Sequence, residues 1–113
     1  MSDTSGDRGV IPGGRAESLA DLLAPQPHGI ASRVIARSPG GNVTLFAIDA
    51  GEGLSEHTTP FDALAVILDG RLRITVGDDS VVVVAGQLVR MPANIPHALH
   101  AEEPSRMMLV MLK

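Results

Sequence analysis

The sequence predicts an all-β chain, a small antiparallel β-barrel preceded by one short helix. Three observations carry this. From Ile30 onward, turn residues recur roughly every 8–12 positions, the rhythm of sandwiches and barrels. Short runs rich in Val, Ile and Leu lie between them. Two of those runs, ALAVIL at 63–68 and VVVV at 81–84, are apolar at every position. Strands of that kind need cover on both faces, and closure removes the edges they would otherwise expose. The small residues Ala47, Ala63, Ala65 and Ala85 suit a tapered interior.

The elements follow in order. Residues 1–14 are rich in Gly, Ser and Asp and read as a mobile arm. Residues 15–24 place Leu19, Leu22 and Leu23 on one helical face, and Pro25 ends the pattern. This predicts an amphipathic helix that caps a barrel end or meets a second subunit. Residues 32–37 alternate, and Gly40-Gly41-Asn42 makes a turn. Residues 43–49 form a strand that Gly51 and Gly53 break. A short strand over 55–59 ends at Pro60. The run 63–68 stops at Asp69-Gly70. Residues 71–76 alternate cleanly, with Leu72, Ile74 and Val76 on one face and Arg71 and Arg73 on a solvated one. Gly77-Asp78-Asp79-Ser80 is a hairpin signal. Strands over 81–85, 87–91, 97–101 and 106–112 complete the chain. No repeat or linker interrupts residues 15–113, which read as one domain.

Composition sets the bounds. At 113 residues and 44% hydrophobic, one core can be buried without staples. Phe46 and Phe61 are the only aromatics, so aliphatic side chains and methionines must fill it. There is no cysteine, which excludes disulfides and thiolate metal sites. The N-terminal stretch has no apolar signal-peptide core, and no run has the length of a membrane span. A cytoplasmic protein without a membrane partner is the expectation. The net charge of −4, with no basic cluster, argues against nucleic acid.

Chemistry must then come from histidines and carboxylates. His28 lies in a Pro/Gly loop and reads as solvated. His57, His97 and His100 lie in two segments, 51–70 and 86–101, that a rolled sheet makes neighbours. In the first, Gly51 is followed by five residues and then His57, with Thr59, Ala63 and Gly70 further on. In the second, Gly86 is followed by five residues and Pro92, then Asn94 and His97. This frame resembles the two motifs of the cupins and covers about residues 43–112. The resemblance implies a double-stranded β-helix, or jelly roll, of the small single-domain bacterial type. Asn94 stands where the family has a glycine, a swap suited to positive φ. Cupin metal sites use three histidines and a glutamate. Thr59 stands in place of a histidine and Ala63 in place of the glutamate, leaving His57 and His97.

Two imidazoles bind a divalent ion weakly. Asp62 is the candidate third ligand, because Pro60 can reset the alternation that otherwise turns it outward. Thr59, Ala63 and His100 are the other expected pocket residues. His100 is three positions from His97, which on a strand points it the other way. The resemblance implies a small-molecule ligand, no organic cofactor and a homodimer through the final strand and residues 15–24. Three functions remain open at this point. One is a low-occupancy Fe, Mn, Zn or Ni site supporting dioxygenase- or isomerase-type chemistry. Another is a metal-free barrel that binds or senses a small molecule. The third is a structural dimer with a vestigial site, in which the histidines are hydrogen-bonded core residues.

Overall fold

In the computed structural model the described residues are 9–113. Among them are one helical turn and nine strands: α1 (Leu19–Leu22), β1 (Ile30–Ser38), β2 (Gly41–Ile48), β3 (Gly53–His57), β4 (Asp62–Asp69), β5 (Arg71–Val76), β6 (Asp79–Val84), β7 (Leu88–Met91), β8 (His97–Ala101) and β9 (Ser105–Leu112). They form an antiparallel jelly roll of two sheets, ordered β1-β2-β9-β4-β7 and β3-β8-β5-β6. No described helix is long and apolar enough to cross a membrane.

Alternation sorts each strand into an inward and an outward row. In β4 the inward row is Ala63, Ala65 and Ile67, and in β5 it is Leu72 and Ile74. These meet Leu99 and Ala101 of β8 with Met91, Met107 and Ile48 in one core cluster. Methionine takes the volume that aromatics fill elsewhere. His97 heads the inward row of β8, ahead of Leu99 and Ala101, and is only 5% exposed.

The outer face of the five-stranded sheet carries a second cluster. Leu22 buries against Ile35 and Leu45, with Ile11, Leu23, Val43 and Met108 around them. The helix expected over 15–24 is therefore reduced to one turn, and it lies on a sheet face, not on a barrel end. Leu19, expected on its buried side, is 44% exposed. A single turn lacks the ladder that would extend a helix, so packing of Leu22 decides its place.

Two further expectations need correction. The arm expected over 1–14 is anchored at its inner end. The Ile11 N–H donates to the Ile35 carbonyl at 3.0 Å, and Arg33 Nε donates to the Gly9 carbonyl at 2.7 Å. Residues 1–8 lie outside the described residues. The four-valine run was expected to be covered on both faces. Val83 is buried, but Val81 and Val82 are 44% and 39% exposed, because β6 is a sheet edge.

Candidate functional site

A β-bulge creates the site. β3 pairs Leu54 with Leu99, but it then pairs His57 with His97. Regular pairing from Leu54 would set Glu56 opposite His97. One extra residue in β3 resets the alternation and brings His57 there instead. On the other side of β8, His97 is opposite Val76 of β5.

The two rings meet edge to face, with centroids 4.3 Å apart and planes at 71°. Their Nε2 atoms lie 3.1 Å apart. Each Nδ1 faces a backbone carbonyl two residues back. His57 Nδ1 donates to Ser55 at 3.0 Å, and His97 Nδ1 donates to Ile95 at 3.3 Å. A carbonyl only accepts, so both Nδ1 atoms carry hydrogen. With one hydrogen per ring, that placement leaves each Nε2 a lone pair facing the other. Two lone pairs at that distance repel unless a proton, a cation or a ligand hydrogen sits with them. His57 is exposed, so the pair opens to solvent on its side.

Burial lowers the His97 pKa first, and the neighbouring His57 lowers it further, while the Ile95 carbonyl opposes both. The sign for stability follows. A depressed pKa means that the unfolded chain takes the proton more readily than the folded one. This contribution is complete above about pH 6.5, the ordinary histidine value, and is lost as pH falls through the folded pKa. Urea midpoints should therefore drop between pH 7.5 and pH 5.5, and drop less in His97→Gln. An equal drop in both proteins would assign the loss elsewhere.

The expected third ligand is not one. Asp62 Oδ1 accepts the Ala93 N–H at 2.8 Å, and Oδ2 accepts from Arg90 at 2.9 Å. These two bonds, the backbone one first, hold its carboxyl below the usual carboxylate range. The alternation is not reset at Pro60 in the sense required. Asp62 lies beside inward Ala63 and so faces out. It serves instead as a clamp. With the Asn94 N–H on the Thr59 carbonyl at 2.7 Å, it ties the loop ahead of His97 to the segment after His57.

His100 is corrected as well. It is exposed on the outward row of β8, opposite Gly53 and Arg73. Thr59 is half-buried, but its hydroxyl donates to the Phe61 carbonyl at 3.0 Å and so serves a local turn. Ala63 is buried on the inward row, opposite Met91 and Met111, and offers only a methyl group.

A resident metal does not fit this donor set. Its ligands would be two imidazoles, since the neighbouring oxygens are committed and Ala63 has none. Among the described residues no three His, Cys, Asp or Glu side chains converge on one point. The carbonyl contacts of Nδ1 and the Asp62 clamp were missed from sequence. Nothing in the spacing joins Asp62 to Arg90 or to the Ala93 N–H.

The sequence profile described as Cupin domain matches residues 44–113. Over 59 residues the chain is 36% identical to an uncharacterised protein of Streptomyces coelicolor. That match covers 52% of this chain and 56% of the relative, so it spans little more than half of that protein. Two crystal structures are similar over nearly the whole length. One is a conserved protein of unknown function from Streptococcus pyogenes, 33% identical with a TM-score of 0.85, covering 91% of this chain and 90% of that one. The other is a cupin superfamily protein from Desulfitobacterium hafniense, 28% identical with a TM-score of 0.83, covering 90% and 94%.

Proposed function

The chain belongs to the cupin family, and on that premise we propose that it is a small-molecule-binding barrel whose ligand is received between His57 and His97. The observation that carries this is the pair of Nε2 atoms 3.1 Å apart, each with its Nδ1 on a backbone carbonyl. Such a pair is a ready acceptor of one hydrogen. It favours a small molecule whose hydroxyl keeps its hydrogen at neutral pH, such as a phenol. The ligand hydroxyl donates to one Nε2 and transfers its proton when the resulting anion is held nearby. The same step is the first half of general-base catalysis, so the reading extends to an enzyme that deprotonates its substrate there.

A second reading keeps a metal. The 3.1 Å separation suits two adjacent nitrogen ligands of one divalent ion, whose bonds are about 2.1 Å. With no third protein donor, Fe, Mn, Zn or Ni would be held loosely and at low occupancy. The reading also includes a cytoplasmic homodimer. The exposed Leu88 and Leu112 on the five-stranded sheet support self-association, and light scattering tests it.

The test is a thermal-shift screen of small acids, phenols and sugars, run beside elemental analysis of the purified protein. A ligand at 100 times its Kd should raise Tm by about 10 °C. That shift should vanish in His57→Ala and in His97→Ala. Metal content should be the same in both variants as in the unsubstituted protein. Shifts that survive both substitutions would overturn the histidine site. Substoichiometric metal that is lost in both variants would overturn the metal-free reading in favour of the second.

A further inference from the structure

A cleft of about 440 Å³ lies at the other end of β4 from Asp62. The length of that strand separates it from the histidine pair by roughly 20 Å. Its floor is the Ala47 methyl beside the backbone of Ile48, whose side chain turns into the core, and Pro25 and Pro27 also line it. Asp69 and Arg106 supply its charge. Ala47 pairs with Arg106 across β2 and β9, on the face where Val43 and Leu45 carry larger side chains. The small methyl at Ala47 leaves the hollow.

The charges in the cleft are not spent on each other. Arg106 Nε comes only to 4.0 Å from Asp69 Oδ2. Its other contact is a donation from Nη1 to the Ala20 carbonyl at 3.4 Å. Both exceed the roughly 2.8 Å of a closed charge-assisted bond. Asp69 is 59% exposed and makes no shorter ion pair among the described residues. The remaining carboxylate, Asp49, is committed. Its Oδ2 accepts the His28 N–H at 2.7 Å and its Oδ1 the Ala50 N–H at 2.9 Å.

An open cation–anion pair above an aliphatic floor matches a ligand with the reverse pair and an aliphatic tail. We propose that this cleft is a second small-molecule site, taking a zwitterionic α-amino acid with an aliphatic side chain. The ligand carboxylate binds Arg106, whose planar fork suits it. The ligand ammonium binds Asp69. The side chain lies on the Ala47 methyl against the proline rings. An anion without the ammonium leaves the Asp69 charge beside it without a partner. A cation without the carboxylate meets Arg106. The inference is independent of the reading of the histidine pair.

The experiment is an amide-resonance NMR titration of the full chain with three probes sharing one tail: L-leucine, 4-methylpentanoate and 3-methylbutylamine. Leucine should shift the resonances of Gln26, Asp49, Asp69 and Arg106 saturably. Each single-charge probe should bind at least about tenfold more weakly, the minimum worth of one charge-assisted bond. Arg106→Gln and Asp69→Asn should each abolish the leucine shifts with the spectrum otherwise folded, whereas His97→Ala should keep them. Absence of saturable shifts overturns the proposal. So does equal binding by either analogue, persistence of the shifts in both cleft variants, or shifts centred on His57 and His97.

Discussion

Gly70→Ala is expected to destabilise the domain by at least about 3 kcal/mol. Gly70 adopts φ +86 between β4 and β5, where any side chain costs about 1–2 kcal/mol. An added Cβ would also collide with Ser105 Oγ and the Pro104 carbonyl, and would stand 2.6 Å from Ser105 Cα. That second contact is with backbone, which no rotamer change relieves. It also disturbs Ser105, whose buried hydroxyl accepts the Arg71 N–H at 2.9 Å and donates to the Glu103 carbonyl at 2.7 Å. Urea unfolding at 25 °C measures the loss, and Tm should fall by more than about 10 °C. Gly86→Ala separates the two causes. Gly86 has the same φ of +86, but an added Cβ there meets nothing within 4 Å. It should lose only the backbone share, about 1–2 kcal/mol. Equal losses in the two variants would show that the close approach at Gly70 contributes nothing.

Ile74→Ala is expected to cost about 3 kcal/mol, and Ile74→Val about 1. Ile74 is fully buried at the centre of β5, opposite Leu99 of β8 and Val81 of β6. Removing three carbons there leaves a cavity that hydrogen-bonded strands on both sides keep from closing. Two residues along β5, Val76 is the direct neighbour of His97. The cavity therefore sits one inward step from the site. Urea midpoints of the two variants give the ratio directly. A loss below about 1 kcal/mol for Ile74→Ala would mean that this part of the interior collapses without cost.

These two positions illustrate what was legible. Gly70 was readable from sequence as a motif glycine after a strand-ending Asp, and the structure adds its φ of +86. Asn94 was readable in the same way, standing where the motif has glycine and adopting φ 66. The inward row of Leu72 and Ile74 followed from strict alternation. Each signal is local, since a turn needs its own residues and a half-buried strand needs its own period.

By itself the sequence determined the antiparallel β-architecture, the jelly-roll frame, and the inclusion of His57 and His97 in one neighbourhood. Tertiary structure alone decided which neighbours they keep. Strict alternation from Leu54 turns Glu56 inward, and only the bulge in β3 sets His57 against His97. Asp62 is one residue from an inward position, yet the Ala93 N–H and Arg90, 31 and 28 positions away, capture both its oxygens. The short helix and the four-valine strand were misjudged for the same reason. Local pattern says which face of an element is apolar, but not whether another element arrives to cover it. That depends on contacts distant in sequence, which one chain read in order does not contain.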